Sequence, residues 1–592
     1  MEELAAAKPV SPVQPASEKH GAKRRLPLDW RSIVLVLIIA FLIYQVIVPL
    51  VGIIWTSLKD VRPGDREFLS FRWTLVNYVR IFGNKDFWSA TVNTIYFALA
   101  SSLCAFCTGA FLAWAVDRTN TPLARFIGMF TLGRIIIPGI LITVSWIFLA
   151  SPSIGILNYL IEWLTGVKRV LNIYSFWGMI WVLSLELSPL AYLLLSASFQ
   201  SMDPRLEEAS TMTGAGTWRT LRRISLPLIT PAIGAALLLL FVLTVENFEV
   251  PLLLGGRAHV RVYTTEVYFN TARTPTDWGL ASTYSVALIT LAMALLFAYF
   301  RLLRQGEKYQ TITGKDYRPR RVDLGPWRYV TCAVCLVIVF LTTGAPLIVM
   351  LYASFLDRMQ PPTLEAFRAM SLDNYREILA ADARTIGAMW NSTLLGLGSA
   401  TVVMLVVSVI SYYVHKTRFR ARKALDFLSF VPIAIPGVVL GTAFMWLYLI
   451  VPLPVIGTLT IIGLAYLTKF LPFSLRFVST SMIQIHSELE EAAAVAGVPW
   501  WKNFYRIYLP LLRPGLMAGW FWVMVHAYRE LTISLMLARS KNRTASVIIF
   551  DLWENASFMG LSAFGVLMFI VLIVLVYVSH KISQRYGIQE QI

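Results

Sequence analysis

Ionisable side chains interrupt several long apolar runs of this sequence. Glu186 lies near the middle of one run and Lys469 near the middle of another. A charge placed in hydrocarbon is costly, so such residues usually line a cavity or a helix interface. Opposite charges at these two positions can pair with each other. The pair can be purely structural or can belong to a polar pathway, and the sequence leaves both interpretations open.

A second set of polar residues closes two further apolar runs. One run ends in Glu246, Asn247 and Glu249, and the other ends in Arg529 and Glu530. We predict that these side chains line a translocation path or its outer gate. The alternative is that they are helix ends solvated near the outer interface of the membrane. Over all the apolar runs charge does not choose between a cation and an anion as solute, because acids and bases balance: Glu186, Glu246, Glu249 and Glu530 against Arg134, Lys469, Arg476 and Arg529.

Three other features carry weaker chemical signals. Arg134 precedes an Ile-Ile-Ile-Pro segment and is assigned to the same predicted path. Two Cys-x-x-Cys spacings begin at Cys104 and Cys332, a spacing that can hold a metal or support redox chemistry. Both cysteine pairs lie in apolar runs, so we predict buried, small side chains without disulfides. No metal-ligand cluster is evident, and no metal site is predicted.

The composition places all of these residues in a membrane protein. The chain has 592 residues, of which 57% are hydrophobic and 15% charged, and its mean hydropathy is +0.63. A membrane-spanning helix needs about 20 apolar residues. The sequence predicts an all-α polytopic membrane protein with about twelve spans, at 33–58, 91–116, 125–150, 174–199, 226–254, 281–300, 329–355, 390–414, 425–450, 459–482, 509–538 and 562–579.

The formal charge of +18 is distributed in a way that argues against nucleic acid as a partner. Lysines and arginines cluster in alternate segments between the apolar runs. A single topology with these segments inside the cell explains them all, and it places both termini in the cytoplasm. The first run is too long for the core of a cleaved signal. Residues 1–30 are predicted to form a disordered cytoplasmic tail, because the stretch from Met1 to His20 is rich in Ala, Pro, Ser and Glu.

The chain contains an internal duplication. Asn77-Tyr78 recurs as Asn374-Tyr375, 297 positions later, and Pro189 recurs as Pro472, 283 positions later. Such collinear matches indicate a repeat, with an extra insert near 151–173 in the first copy. We predict six-helix halves at 31–305 and 328–592, joined by a cytoplasmic linker at 306–327. Because six is an even number, the two halves form a parallel repeat.

A polar motif between the fourth and fifth runs also occurs twice. A capping residue opens each copy, Asp203 before Pro204 in the first and Ser487 with Glu490 in the second. A glycine then stops a short helix, since glycine takes the left-handed cap conformation cheaply. The predicted product is a rigid, bent helix pair fixed to a spanning helix. Its central residues are Glu207, Glu208, Ala209 and Gly214, and then Glu490, Glu491, Ala492 and Gly497.

Glu-Glu-Ala, a glycine five residues later and then Ile-x-Leu-Pro resembles the cytoplasmic signature of permeases in binding-protein-dependent ABC importers. In that family the segment is a coupling helix seated in a groove of the ATPase. The resemblance implies a multi-pass protein of the bacterial inner membrane that works with two copies of a cytoplasmic ABC ATPase and a periplasmic solute-binding protein. The chain has no phosphate-binding loop of the G-x-x-x-x-G-K-[ST] type. It is therefore expected to be non-catalytic and to bind no cofactor, with ATP and Mg²⁺ used by the partner.

Segments around Glu246 and Arg529 resemble fused two-half permeases of the iron(III) type. The resemblance favours ferric iron as solute, while relatives of this layout carry thiamine, phosphonates, polyamines or sugar phosphates. An ion-coupled secondary transporter, with the membrane carboxylates as proton or sodium sites, is the alternative. It has no use for twin docking motifs. An exporter permease is disfavoured because its usual layout fuses the ATPase, and an ordinary surface loop does not explain two motifs in register.

Overall fold

The structure, a computed structural model, describes residues 30–60, 70, 72–200, 209–210, 212–214, 216–306, 321–380, 383–417, 419, 421–451, 453–486 and 488–585. These residues are predominantly helical, and a bridge between Thr119 and Val322 is the β-type contact found among them. The all-α class is therefore confirmed. The predicted tail (except Trp30) and most of the predicted linker lie outside the described residues.

Thirteen helices of the first half have their bounds within the described residues. They are α1 (Trp30–Leu42), α2 (Val48–Ser57), α3 (Val76–Phe82), α4 (Lys85–Arg118), α5 (Ala124–Gly133), α6 (Gly139–Ala150), α7 (Ile156–Thr165), α8 (Phe176–Gln200), α9 (Thr217–Thr220), α10 (Leu226–Glu246), α11 (Gly256–Ala258), α12 (Tyr263–Ala272) and α13 (Trp278–Gly306). A π-helical segment, Ile43–Ile47, joins α1 to α2, and a 3₁₀ turn, Arg134–Ile136, follows α5.

In the described part of the second half there are fifteen helices. They are α14 (Trp327–Val339), α15 (Ala345–Ser354), α16 (Leu364–Arg368), α17 (Asp373–Ala380), α18 (Ala383–Lys416), α19 (Arg422–Phe430), α20 (Gly437–Ile450), α21 (Leu459–Gln484), α22 (Glu488–Val495), α23 (Trp500–Asn503), α24 (Leu509–Leu511), α25 (Arg513–Arg529), α26 (Thr532–Leu537), α27 (Ala545–Glu554) and α28 (Phe558–Arg585). The π segments Phe340–Gly344 and Phe504–Tyr508 and the 3₁₀ turn Val431–Ala434 connect some of them.

The predicted third span of each half is not a single straight helix. Among the described residues, nine helices are long and apolar enough to cross a membrane, and two bent pairs bring the number to eleven. The pairs α5–α6 and α19–α20 bend by 107° and 109°. A residue before proline is pushed out of the helical region, and Ile137 and Ile435 are extended before Pro138 and Pro436. The predicted eleventh span, 509–538, contains α25, which is only 17 residues long.

The duplication predicted from sequence is confirmed at the level of individual hydrogen bonds. Asn77 Nδ2 donates to the carbonyl oxygens of Ser57 and Lys59, at 3.1 and 2.7 Å. These bonds tie the loop after the first span to α3. The second half repeats both bonds at the same two distances through Asn374, Ser354 and Leu356. A matching pattern of backbone restraint, and not only of sequence, therefore recurs in both halves.

The two halves interlock through their first spans. Helix α2 packs against α20 of the other half, and α15 packs against α6. Gly52 lies so close to the Trp446 ring that a Cβ atom at Gly52 would sit 2.1 Å from it. Only glycine permits such an approach. Each bent pair is thus held by the half to which it does not belong.

The end of the linker returns to the first half. Val322 donates its amide to the Arg118 carbonyl at 2.7 Å, and Asn120 donates its side-chain amide to Asp323 at 2.5 Å. The Gly325 amide, followed by the Asn120 side chain, lowers the pKa of the Asp323 carboxyl below its ordinary value. The connection between halves is consequently anchored to the turn that follows α4.

Candidate functional site

The first copy of the repeated motif is described only in part. Glu207 and Glu208, together with the predicted capping pair Asp203-Pro204, lie outside the described residues. Ala209 is helical and exposed. Gly214 has a φ of +78°, the left-handed conformation predicted for a helix stop. That prediction is confirmed for this copy.

The second copy forms the short helix α22. Glu491 and Ala492 are exposed along it. Gly497 follows with a φ of +69°, and the Val498 amide donates to the Ala493 carbonyl at 3.0 Å, which closes the helix end. The helix stop is therefore confirmed here as well. Ser487, which would open the predicted capping box, lies outside the described residues.

Glu490 has a different environment from the one predicted. Instead of reaching back to cap the helix, its carboxylate accepts one hydrogen bond at each oxygen. Tyr412 Oη donates to Oε1 at 2.8 Å, and Tyr508 Oη donates to Oε2 at 2.9 Å. Tyr412 belongs to the spanning helix α18, and Tyr508 closes the π segment after α23. We call Tyr412, Tyr508 and Glu490 the tyrosine clamp, because they fix α22 to a spanning helix.

Sequence reasoning missed the two clamp tyrosines. Both are buried, and aromatic rings of Trp500 and Phe504 surround Tyr412. In the first half, the corresponding positions are Trp114 and Ser225. Neither residue carries a phenol. The motif therefore repeats in sequence, whereas the two clamp tyrosines do not.

Large apolar side chains are exposed around both copies of the motif. Val495 is 91% exposed at the end of α22, and Met212 is 88% exposed in the first copy. Trp501 is also exposed. Exposed apolar groups next to a rigid helix end are typical of a protein-binding surface.

The predicted intramembrane residues converge where the two halves meet. Lys469 forms an ion pair with Glu530, with 2.7 Å between Nζ and Oε2. Lys469 therefore pairs with Glu530 and not with Glu186, the partner that the sequence allowed for it. Packing of α21 against α25 gives Lys469 a carboxylate from its own half. Glu186 instead lies within electrostatic range of Arg134.

Two arginines bind the backbone of the break in the first bent pair. Arg134, only 1% exposed, donates from Nη1 to the Ile137 carbonyl at 3.0 Å. Arg529 donates from Nη1 to the Ile135 carbonyl. A helix break leaves carbonyls without helical partners, and charged donors satisfy them well. Arg529 comes from the second half, so this bond crosses between halves.

Gly139 begins α6 between two carboxylates. A Cβ atom at Gly139 would lie 2.5 Å from Glu186 Oε1 and 2.5 Å from Glu249 Oε2. Glu249 also lies within electrostatic range of Arg529 and of the Lys469 pair. We call Arg134, Glu186, Glu246, Glu249, Lys469, Arg529 and Glu530 the central cluster.

The fifth helices end at this cluster. Helix α10 ends at Glu246. Asn247 Oδ1 then accepts a hydrogen bond from the Val250 amide at 3.2 Å, where the next helical segment begins. Helix α25 ends at Arg529. Among the described residues, the buried oxygens Glu186 Oε2 and Glu246 Oε1 have no hydrogen-bond partner. The cluster thus combines paired charges with free carboxylate oxygens.

Neither cysteine pair joins these sites. Cys332 and Cys335 are buried, as predicted, whereas Cys104 and Cys107 lie on an exposed face of α4, so that part of the prediction is wrong. A run that is apolar on all sides does not indicate which face of the helix packs against a neighbouring helix, so the exposure of Cys104 and Cys107 could not be predicted from it. No group of three or more His, Cys, Asp or Glu side chains suited to a metal occurs among the residues that the structure describes.

A family model for the "binding-protein-dependent transport system inner membrane component" matches residues 120–305 and 388–586. The matched segments make up more than half of the chain. The chain belongs to this family. Each matched segment contains one copy of the motif and its half of the central cluster. The protein is a fused two-half ABC importer permease that resembles iron permeases.

Curated relatives of the permease include two proteins with ferric transport names. The ferric transport system permease protein FbpB of Actinobacillus pleuropneumoniae is 25% identical over 456 residues, 76% of this chain and 65% of the relative. A putative ferric transport system permease protein of Haemophilus influenzae is 27% identical over 375 residues, 63% of this chain and 58% of the relative. The matches thus span less than two thirds of either relative.

A solved structure of a bacterial ABC transporter involved in alginate import is also similar to the permease. The similarity has a TM-score of 0.39 and 20% sequence identity, and it covers 47% of this chain and 95% of that one.

Proposed function

We propose that this permease moves a solute from a periplasmic binding protein to the cytoplasm by alternating access, driven by two copies of a separate ATPase. The observation that carries the proposal is the pair of motifs. Each ends at a left-handed glycine and leads through a short helix into the fifth span. A push on α22 would reach α25 through α23 and α24, and α25 ends at Arg529 in the central cluster.

In this proposal the motif side of the membrane is the cytoplasm, and both termini lie there. The binding protein would rest on the opposite loops. The bond from Arg529 to Ile135 would close the path between halves, and separation of the two bent pairs would open it. The residues proposed to line the path are those of the central cluster together with Asn247.

We propose ferric iron as the solute. The names of the two curated relatives support this, and carboxylate oxygens suit a hard cation. Calorimetry of the cognate binding protein against ferric iron, a phosphonate and thiamine tests it directly. Tight binding of iron alone is the expected result, and tight binding of either organic solute would replace the proposal.

The glycine stops allow a test of ATPase coupling. A side chain at the Gly497 φ of +69° costs about 1–2 kcal/mol and should distort the end of α22. We expect Gly497→Val to reduce co-purification of the ATPase and ATP-driven uptake in proteoliposomes. Gly216→Val is the matched control, because Gly216 lies in the first motif without a left-handed φ and has open space around it.

The same experiment discriminates between the two functional classes. Free carboxylate oxygens in the central cluster are the feature that favours an ion-coupled secondary transporter. Such a protein would import solute under a proton gradient without any ATPase, and Gly497→Val would leave that uptake unchanged. The ATP-driven importer shows no uptake until ATPase, ATP and Mg²⁺ are present.

A further inference from the structure

The insert in the first half contains a helix that the transport proposal does not use. Helix α7 lies between α6 and α8, at the end of α8 opposite to the repeated motif. The second half connects the corresponding helices, α20 and α21, through only the short segment 451–458. Helix α7 is therefore an addition to one half, and its role must be specific to that half.

Hydrogen bonds hold α7 in a fixed position. Asn158 Nδ2 donates to the carbonyls of Ser151 and Leu171, both at 2.9 Å, and Asn158 Oδ1 accepts from the Leu171 amide at 2.8 Å. Gly166, with a φ of +74°, ends the helix and donates to the Glu162 carbonyl at 2.8 Å. Buried polar contacts of Asn158 thus fix the first turn of the helix, and Gly166 determines where the helix ends.

The face of α7 turned away from the protein is apolar. Its exposed residues recur at helical spacing, so they form one continuous stripe. Trp163 is 80% exposed and Leu164 is 65% exposed. The full stripe is Tyr159, Leu160, Trp163, Leu164 and Val167. Water is a poor environment for such a surface.

Basic residues follow the stripe directly. Lys168 and Arg169 are exposed just beyond the end of α7. Lys168 Nζ lies 3.3 Å from Glu162 Oε1, while the Arg169 guanidinium has no ion pair among the described residues. An apolar helical face with tryptophan, tyrosine and adjacent basic groups matches the chemistry of a membrane interface, where rings sit at headgroup level and cations meet phosphates.

Aromatic residues are also exposed at the start of the spanning helix that follows α7. Trp177 and Trp181 are exposed in the first turns of α8, on the same side of the membrane as α7. Trp and Tyr are enriched where spans leave the hydrocarbon. The level of this aromatic group along α8 therefore marks the boundary between hydrocarbon and headgroups, and α7 precedes α8 on this side of the membrane.

We propose that α7 is an interfacial anchor, which lies flat on the bilayer with its apolar stripe among the lipid chains and its basic end among the phosphates. The partner of this surface is lipid. The anchor holds the outer end of the first bent pair at a fixed depth, because α7 packs directly against α6. This inference does not depend on which solute is carried or on how transport is driven.

Site-specific fluorescence quenching tests the anchor. In the full chain with its four cysteines replaced by serine, Trp163→Cys and Leu164→Cys each carry a small fluorophore, and the protein is placed in nanodiscs. The control is Arg376→Cys on α17, whose side chain is 77% exposed. We expect lipid-borne nitroxide to quench positions 163 and 164 several-fold more than position 376. Aqueous iodide should give the reverse order.

Two outcomes would overturn the proposal. Equal iodide quenching at positions 163 and 376 would place the stripe in water. Protection of position 163 that appears only after the binding protein is added would make the stripe a protein-docking surface.

A second variant, Lys168→Gln with Arg169→Gln, tests the basic end. In vesicles of phosphatidylethanolamine with phosphatidylglycerol it should weaken nitroxide quenching at position 163, and in uncharged lipid it should not.

Discussion

At the scale of single residues, the tyrosine clamp makes the second motif more than a surface signature. A hydrogen bond to a charged group contributes about 1.5–3 kcal/mol, and Glu490 accepts two. Through these two bonds, the Glu490 carboxylate connects the short helix α22 to the spanning helix α18. The helix α22 cannot shift without moving α18 or breaking the clamp.

Removal of the clamp hydroxyls should uncouple ATP hydrolysis from transport. We expect the Tyr412→Phe, Tyr508→Phe double variant to retain ATPase binding, because Glu491 and Ala492 stay exposed, but to import several-fold less solute per ATP hydrolysed. Uptake and phosphate release in the same proteoliposomes measure this ratio. Tyr505→Phe is the control, since Tyr505 is exposed in the same π segment. An unchanged ratio in the double variant would show that the clamp transmits nothing.

The Lys469–Glu530 pair allows its structural and pathway roles to be separated. Loss of Lys469 leaves Glu530, whose side chain is 11% exposed, without its partner, so Lys469→Met alone should lower the melting temperature. Lys469→Met with Glu530→Met should recover much of the stability. If the pair lines the path, this double variant is stable but slow in uptake. Uptake at the original rate would identify the pair as purely structural.

At the scale of elements, the bent pairs account for the largest difference between prediction and structure. The sequence contains a signal for the bend, since Pro-Gly occurs in both halves and a residue before proline is biased out of the helical conformation. A count of apolar residues nevertheless gives one span, because it measures composition and not direction. The long straight helices were predictable for the same reason. The central cluster was predicted residue by residue, but its pairing required the packing of α21 against α25.

The two glycines that begin α6 and α20 provide a matched comparison. A Cβ atom at Gly139 would come within 2.5 Å of two carboxylate oxygens, whereas at Gly437 the nearest atom, Lys469 Nζ, would be 3.2 Å away. Gly139→Ala should therefore displace Glu186 and Glu249 and reduce uptake at least tenfold, while Gly437→Ala should reduce it only slightly. Uptake assays on both variants, with melting temperatures as a check on folding, decide the matter. Equal losses would contradict the crowding argument.

At the scale of the whole molecule, the exchange of first spans binds the halves together. Helix α2 rests on α20 and α15 rests on α6, so each half completes the core of the other. Sequence showed that two similar halves exist, but it could not show this exchange, since a repeat pattern contains no information on contacts between its copies.

A cut in the linker should consequently leave the protein assembled. We expect a protease site inserted after Gly306 to be cleaved without loss of co-purification of the two fragments in mild detergent, and with uptake retained. Size-exclusion chromatography of the cleaved protein, against the uncut chain, gives the answer. Fragments that elute separately would show that the covalent link, and not the exchange of spans, holds the halves together.

The unequal charges of the central cluster have a consequence for ancestry. The first half contributes Glu186, Glu246 and Glu249 against Arg134, and the second contributes Lys469 and Arg529 against Glu530. Two identical first halves would bring six acids face to face with two arginines, and two second halves would bring an excess of bases. Only one of each gives near neutrality. Because the two halves carry complementary charges, neither half can substitute for the other. Their fusion in a single polypeptide ensures that both are made in equal number.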